Sequence, residues 1–435
     1  MILIYTHKIT NRSKYIFKLL LKELLHIDFQ FTANELEYLA FEGMKFSYSN
    51  KPFDKGLFFA STNILFERGI KHLDISMTDY EGLPAFFPVY QNTSAMPFDP
   101  FAASFYLVSR YEEYLPYKKD EYGRFPADES LAYRKKFLHK PMINIWAQQI
   151  GDILSSRFPQ LKIAGQKYKF VPTLDIDAAW SYKGKGLFRT VGGYLNSLSN
   201  FEISDISERT KVIFNLQKDP FDTFEFQLEI QKKYNLKPIY FILYADYGLN
   251  DKNIPVQNRK FQTLIKSLAD YAEVGIHPSY NSNFNSKKLK LEISRLSKVL
   301  NREITKSRQH FLKVHLPVTY RNLINLDITD DYSMGYAAQP GFRASICNSF
   351  CFYDVDLDVE TKLRIHPFTV MEGTLKDYLK LSPREAVTIM KRLIAEVKGV
   401  NGTFISLWHN ESLSNTKRWE GWRDVYEEMI IEALP

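Results

Sequence analysis

From Lys169 onward the chain alternates short β-branched or aromatic runs with longer stretches of helical periodicity, and this constrains the fold more than any other feature of its 435 residues. The spacing predicts strands over 169–175, 238–244, 271–277, 307–314, 364–371 and 403–409. Helices are expected over 221–234, 257–270, 287–300, 383–397 and 419–433. Strands joined through helices cannot pair as hairpins, so they align in parallel. Their number suits a (β/α) barrel better than an open doubly wound sheet.

The chain before Lys169 reads differently. Residues 2–5 form a short strand, 15–25 an amphipathic helix, and 35–48 and 57–66 further short elements. Pro100–Tyr114 is helical and aromatic, and its stripe of rings is expected to be core. Residues 140–158 make one more helix, and the polar stretch 159–167 is the expected boundary. The division is thus a smaller α/β domain over residues 1–160 and a barrel over 167–435.

Composition bounds the partners. With 45% hydrophobic, 15% aromatic and 25% charged residues, the chain is a folded type. No run approaches the roughly 18 apolar residues of a membrane span, so no integral membrane segment is expected. Met1–Tyr5 is apolar but has no basic lead or small-residue cleavage site, which predicts no secretory signal and a cytoplasmic location. Cys347 and Cys351 are too few for a disulfide scaffold or a four-thiolate zinc site and are expected as free thiols. The net charge of +7 is spread through interspersed signs, which weighs against a nucleic-acid partner. The basic group from Lys287 to Lys306 surrounds Leu289, Ile293 and Leu296 at helical spacing, as a solvated helix face would.

Three apolar runs break off into residues suited to metal chemistry. Phe170–Leu174 leads into Asp175-Ile176-Asp177, Val274–Ile276 into His277, and Phe404–Trp408 into His409. A parallel barrel keeps its active site at the carboxyl ends of its strands. Each exit alone has an ordinary reading: an acidic pair caps a following helix, and a strand-end histidine is a surface group. Together they read as a hydrolytic centre around one divalent cation, in which one carboxylate binds metal and the other takes a proton from water. Histidine serves as metal ligand or as the acid near neutral pH. Ser307-Arg308-Gln309-His310 adds a guanidinium that can hold a carboxylate and an imidazole that can reach the metal, with a plain surface junction as the alternative. His315 is a poorer candidate, and His7, His26, His72, His139 and His366 are assigned structural roles.

Thr173-Leu174-Asp175-Ile176-Asp177, Gly275-Ile276-His277-Pro278-Ser279-Tyr280, Arg308-Gln309-His310-Phe311, Ser333-Met334-Gly335-Tyr336 with Gly341-Phe342-Arg343, and Leu407-Trp408-His409-Asn410 occur in that order. Together they resemble the polysaccharide deacetylases of carbohydrate esterase family 4, most of all a bacterial branch with an extra amino-terminal domain. The resemblance covers residues 167–435, while Phe101–Phe105 and Gly123-Arg124-Phe125-Pro126 look like the extra domain. It implies a distorted NodB-type (β/α) barrel that removes acetyl groups from N-acetylated sugars in surface-glycan metabolism. By position it implies Asp175 as base, Asp177 and His277 as metal ligands, Arg308 as the group orienting Asp175, and His409 as the acid at the leaving amine. The second motif of the family carries another histidine four residues on, but Asn281 stands there in this chain, and His310 is the expected replacement. Zn²⁺ is the expected cation for nitrogen and carboxylate ligands. A nucleotide- or lipid-linked sugar is the expected substrate. A non-catalytic sugar-binding barrel, and an amino-terminal docking module of a glycan-assembly complex, are the alternatives.

Overall fold

Ile2–Tyr5 is buried along its whole length, as a central parallel strand must be, and forms β1. The computed structural model describes residues 1–52 and 55–435. β1 lies between β2 (Phe29–Thr32) and β3 (Lys45–Ser49), and β4 (Leu57–Ala60) extends this parallel sheet beyond β3. The first helix, α1 (Asn11–Phe17), starts four residues before the expected span because Thr10 and Ser13 cap it reciprocally, and it widens into π-helical turns over Lys18–Leu24. After α2 (Glu35–Ala40) comes an unforeseen antiparallel hairpin, β5 (Met77–Tyr80) and β6 (Leu83–Phe86). The aromatic block is α3 (Pro100–Val108), buried throughout, with Phe101 stacked on Phe17 at 3.9 Å. Helices α4 (Leu131–Arg134) and α5 (Met142–Arg157) follow.

The second sheet has nine strands. These are β7 (Lys169–Ile176), β8 (Ile239–Ile242), β9 (Glu273–Ile276), β10 (Lys306–Ser307), β11 (Asp330–Asp331), β12 (Phe350–Asp354), β13 (Val359–Ile365), β14 (Val370–Met371) and β15 (Thr403–His409). Their order is β12-β13-β11-β10-β9-β8-β7-β15-β14, and every ladder is parallel except the β12–β13 hairpin. Among the described residues no ladder joins the edge strands β12 and β14, so the structure shows one mixed, mostly parallel sheet where a barrel was expected. The helices are α6 (Leu187–Ser199), α7 (Ile203–Ile213), α8 (Phe224–Lys233), α9 (Arg259–Tyr271), α10 (Ser286–Leu300), α11 (Val318–Ile324), α12 (Pro383–Gly399) and α13 (Trp422–Ala433).

Two strand expectations need correction. Of the expected strand 307–314 only Ser307 pairs, with Lys306 before it, and the ladder cannot continue through Phe311 and Leu312, which sit at φ 59 and 54, where extended backbone ends. The expected strand 364–371 is two strands, broken at Pro367, which has no N–H for a ladder. Cys347 and Cys351 are free thiols. No helix among the described residues is long and apolar enough to cross a membrane.

One continuous hydrophobic cluster includes Ile4, Phe101 and Trp146 as well as Leu174, Ile276 and Trp408, so the two sheets share a core. Buried ions cross the same seam. Arg343 donates to both oxygens of Glu113 at 3.0 and 2.7 Å, and Arg110 donates to Glu113 at 2.7 Å and to the Arg343 carbonyl.

Candidate active site

Strand register alone gathers most of the predicted residues. β15 pairs with β7 so that His409 stands opposite Asp175. Ile276 pairs with both Ile242 and Ser307, which delivers His277 and Arg308 at adjacent exits on the same end of the sheet.

Arg308 is fully buried and donates to Asp175 Oδ1 at 2.9 Å, to Thr173 Oγ1 at 2.7 Å and to the Tyr332 carbonyl at 3.0 Å. Its guanidinium lies 4.5 Å from the centre of the Phe241 ring. Three fixed partners and a ring face leave this cation one orientation, and with it Asp175. The other Asp175 oxygen lies 3.7 Å from His277 Nε2. His277 Nδ1 hydrogen-bonds the Arg308 carbonyl, which turns Nε2 toward the carboxylates.

Asp177 sits among three imidazoles. His277 Nε2 is 3.2 Å from Oδ1, His310 Nε2 is 3.5 Å from Oδ2, and His409 Nε2 is 3.9 Å from Oδ2. Burial acts to raise the Asp177 carboxyl, but the His310 charge, contacts with His277 and the His409 charge outweigh it and hold it well below the usual carboxylate range. His310 is pushed up to about 9: burial lowers it, and Asp177 and Asp251 more than reverse this. His409 is held well above the ordinary histidine value, since Glu372, then Asp177 and Asp175, outweigh its burial.

One ligand atom from each of Asp177, His277 and His310 lies within 4.8 Å of the others, a spacing one cation can bridge. Asp177 Oδ1 is buried without a hydrogen-bond partner among the described residues, although a ring nitrogen stands beside it. A carboxylate with one buried oxygen unpaired, set between the His277 and His310 imidazoles, is a donor set that fits a divalent cation. The group Glu23, Cys351 and Glu360 has similar spacing, but the Lys18 ammonium lies 2.5 Å from Glu360 and 3.6 Å from Glu23 and already neutralises it.

Asn281 is exposed on a turn, and buried Ser282 closes that turn by donating to the Ser279 carbonyl at 2.8 Å. Neither lines the cavity, whereas His310 does. His315 points elsewhere, 3.3 Å from Tyr117 Oη.

Two residues of the site escaped the sequence reading. Glu372 holds His409, accepting from its backbone N–H at 2.9 Å and lying 2.8 Å from Nδ1. Asp251 is 2.9 Å from His310 Nδ1 and accepts from the Tyr280 N–H at 2.8 Å. Glu372 had a usable signal, since Val370-Met371-Glu372 is another apolar run ending in a carboxylate. Asp251 had none, because it lies in a loop nine residues beyond β8 and only the fold brings it near.

Asp175, Asp177, His277, His310, Glu372 and His409 line a cavity of about 320 Å³ whose rim includes Tyr378, Arg418 and Trp419. Arg124 also reaches it from the amino-terminal part of the chain, pinned by Asp120 at 2.6 Å and the Phe311 carbonyl at 2.9 Å. A second cavity of about 250 Å³ shares Arg124, Leu312, Ala337 and Tyr378 with the first.

Residues 2–159 match the model of a family of unknown function, DUF7033. No curated protein matches the chain. Among solved structures, the chain is similar to a candidate polysaccharide deacetylase from Mycobacterium smegmatis, with 14% identity, a TM-score of 0.42, and 62% of this chain and 86% of that one covered. It is also similar to a CE4 family pseudoenzyme from Bacillus anthracis, with 14% identity, a TM-score of 0.30, and 62% of each chain covered. A polysaccharide deacetylase from Bacillus cereus matches at 9% identity and a TM-score of 0.29, covering 59% of this chain and 88% of that one.

Proposed function

We propose that the chain is a metal-dependent hydrolase that removes an acetyl group from an N-acetylated sugar of surface-glycan metabolism. The observation that carries this reading is the convergence of Asp175, Asp177, His277, His310 and His409 on one cavity, with buried Arg308 bonded to Asp175 behind it. Asp177, His277 and His310 would hold the cation, with Zn²⁺ favoured by two imidazoles and a carboxylate. When bound, it supplies Lewis-acid polarisation of the acetyl carbonyl and of water.

The chain's own residues supply the proton transfers. Asp175, held in orientation by Arg308, takes a proton from the attacking water. The water oxygen bonds to the acetyl carbon, the carbon–nitrogen bond breaks, and acetate and a free amine leave. His409, kept protonated by Glu372, gives its proton to the departing nitrogen. In this reading the chain divides near residues 160–167, and the amino-terminal part contributes Arg124 to the rim.

Acetate release from a panel of N-acetylated sugars by zinc-loaded protein tests the reading. Asp175→Asn is expected to keep its metal and lose roughly 100- to 10,000-fold in rate, the usual worth of a general base. Wild-type protein that holds stoichiometric metal but releases no acetate from any member of the panel would favour the sugar-binding alternative.

A further inference from the structure

A surface helix normally turns its apolar stripe to the core, and α6 does the reverse. The inward contacts of α6 are polar: Tyr194 Oη lies 2.9 Å from Thr210 Oγ1, and Ser197 Oγ donates to Asp205 Oδ2 at 2.7 Å. Helices α6 and α7 press so close that a Cβ on Gly193 would fall 2.2 Å from Arg209 Nη1. The outward face of α6 carries Leu187, Phe188, Leu195 and Leu198, at 76%, 92%, 63% and 63% exposure. The connecting turn and the ends of α7 add Phe201 at 88%, Ile203 at 75% and Phe214 at 70%. Leaving so many large apolar side chains in water is unfavourable, and so large a contiguous patch marks an interaction surface.

We propose that this helical hairpin docks the protein onto an anionic lipid surface, with the apolar side chains among the acyl chains and the neighbouring basic residues at the headgroups. Charge favours this occupant. Lys183, Lys185, Arg189 and Lys211 outnumber Glu202, Asp205 and Glu208 along the segment, and Arg209 faces inward, paired with Asp205 at 3.1 Å. Two of those carboxylates are already neutralised, since Lys417 lies 2.6 Å from Glu208 and 3.4 Å from Asp205. The pattern of aromatic and aliphatic residues on one face and cations beside it is that of interfacial helices.

The hairpin is tied to the catalytic rim. Lys417, its ion-pair partner, is followed directly by Arg418 and Trp419, which line the cavity. A lipid-linked sugar would therefore meet the cavity from the surface on which the hairpin rests. That consequence rests on the deacetylase reading, whereas the docking does not.

Flotation of the full-length protein with vesicles of phosphatidylcholine and phosphatidylglycerol tests the docking. The wild type is expected to float with them and to float less with phosphatidylcholine alone. The triple variant Phe188→Ser, Leu195→Ser, Leu198→Ser is expected to lose on the order of a hundredfold or more in vesicle affinity. Its unfolding midpoint should not fall, because the three side chains stand in solvent. A wild type that never floats, or a triple variant that floats equally well, would overturn the proposal. Self-association of the wild type through these same residues, without flotation, would assign the patch to a second copy and likewise overturn it.

Discussion

His310 is the residue on which the candidate metal centre turns. In the sequence its claim rested on standing beside Arg308 and on the absence of a histidine at 281, and the structure places its Nε2 3.5 Å from Asp177 Oδ2. His310→Ala should therefore weaken metal binding as severely as His277→Ala, while His315→Ala leaves it unchanged; titration with a metal indicator measures all three. Equal losses for His310→Ala and His315→Ala would sink the assignment. Glu372 and Asp251 belong to the same centre, but their partners lie 37 and 59 residues away, so local pattern gives little purchase on them. The role of Glu372 is open to a pH profile. An acid must stay protonated to act, so activity is lost as pH rises through the folded-state pKa of His409, which Glu372 helps to hold above the ordinary value. Glu372→Gln removes the charge and keeps the shape, so the alkaline limb should move to lower pH, with the acid limb less affected. An unmoved alkaline limb would show that Glu372 only packs against the ring.

At the level of elements, strand exits were the legible part, because an apolar run that stops at a charged residue marks both a buried strand and its end. Strand lengths were not legible. Residues 307–314 read as a strand, yet the ladder ends at Ser307 and the chain turns at once to aim Arg308 and His310 inward. The α6–α7 hairpin was missed altogether: no helix was expected between the strand at 169–175 and residue 221, although Leu187, Val191, Leu195 and Leu198 recur at helical spacing. Gly275 shows how tightly the elements at the site are set. A Cβ there would fall 2.8 Å from both the Lys306 carbonyl and the Phe241 ring, the ring that faces the Arg308 guanidinium. Gly275→Ala must spread β9 from β10 just where His277 and Arg308 leave the sheet. A loss of about 1–3 kcal/mol in denaturant unfolding is expected, as for overpacking generally, together with weaker metal binding. Unchanged stability and unchanged metal affinity would mean that the strands tolerate the methyl group and that the site is less rigidly built than these contacts imply.

Across the whole molecule, the polar stretch 159–167 marks a change of pattern, yet nothing in the sequence discloses how strongly the parts on either side depend on each other. The Glu113–Arg343 pair spans 230 residues and is buried, with Arg110 completing the cluster. A buried guanidinium is tolerable only while its counterion is present. Glu113→Gln keeps the shape but takes the carboxylate from buried Arg343 and leaves Arg110 with Glu112 alone, and should cost about 3–5 kcal/mol in denaturant unfolding. The same cluster sets a response to acid. Burial would raise the Glu113 carboxyl, but Arg343 and Arg110 overcome this and lower it from 4.5. A depressed folded-state pKa gives stability that is present above 4.5 and lost as pH falls through the folded value. Glu112 shifts upward because its burial is only partly offset, and so contributes in the opposite sense. The acid-side loss of stability in the wild type should therefore be shallower in Glu113→Gln, which has no carboxyl left to protonate at that position. Residues 167–435 produced alone would keep Arg343 without Glu113 and would uncover the core shared with Phe101 and Trp146. That fragment is expected to aggregate or to show no cooperative unfolding; a soluble fragment with the metal affinity and unfolding midpoint of the full chain would show that the seam between the sheets is dispensable.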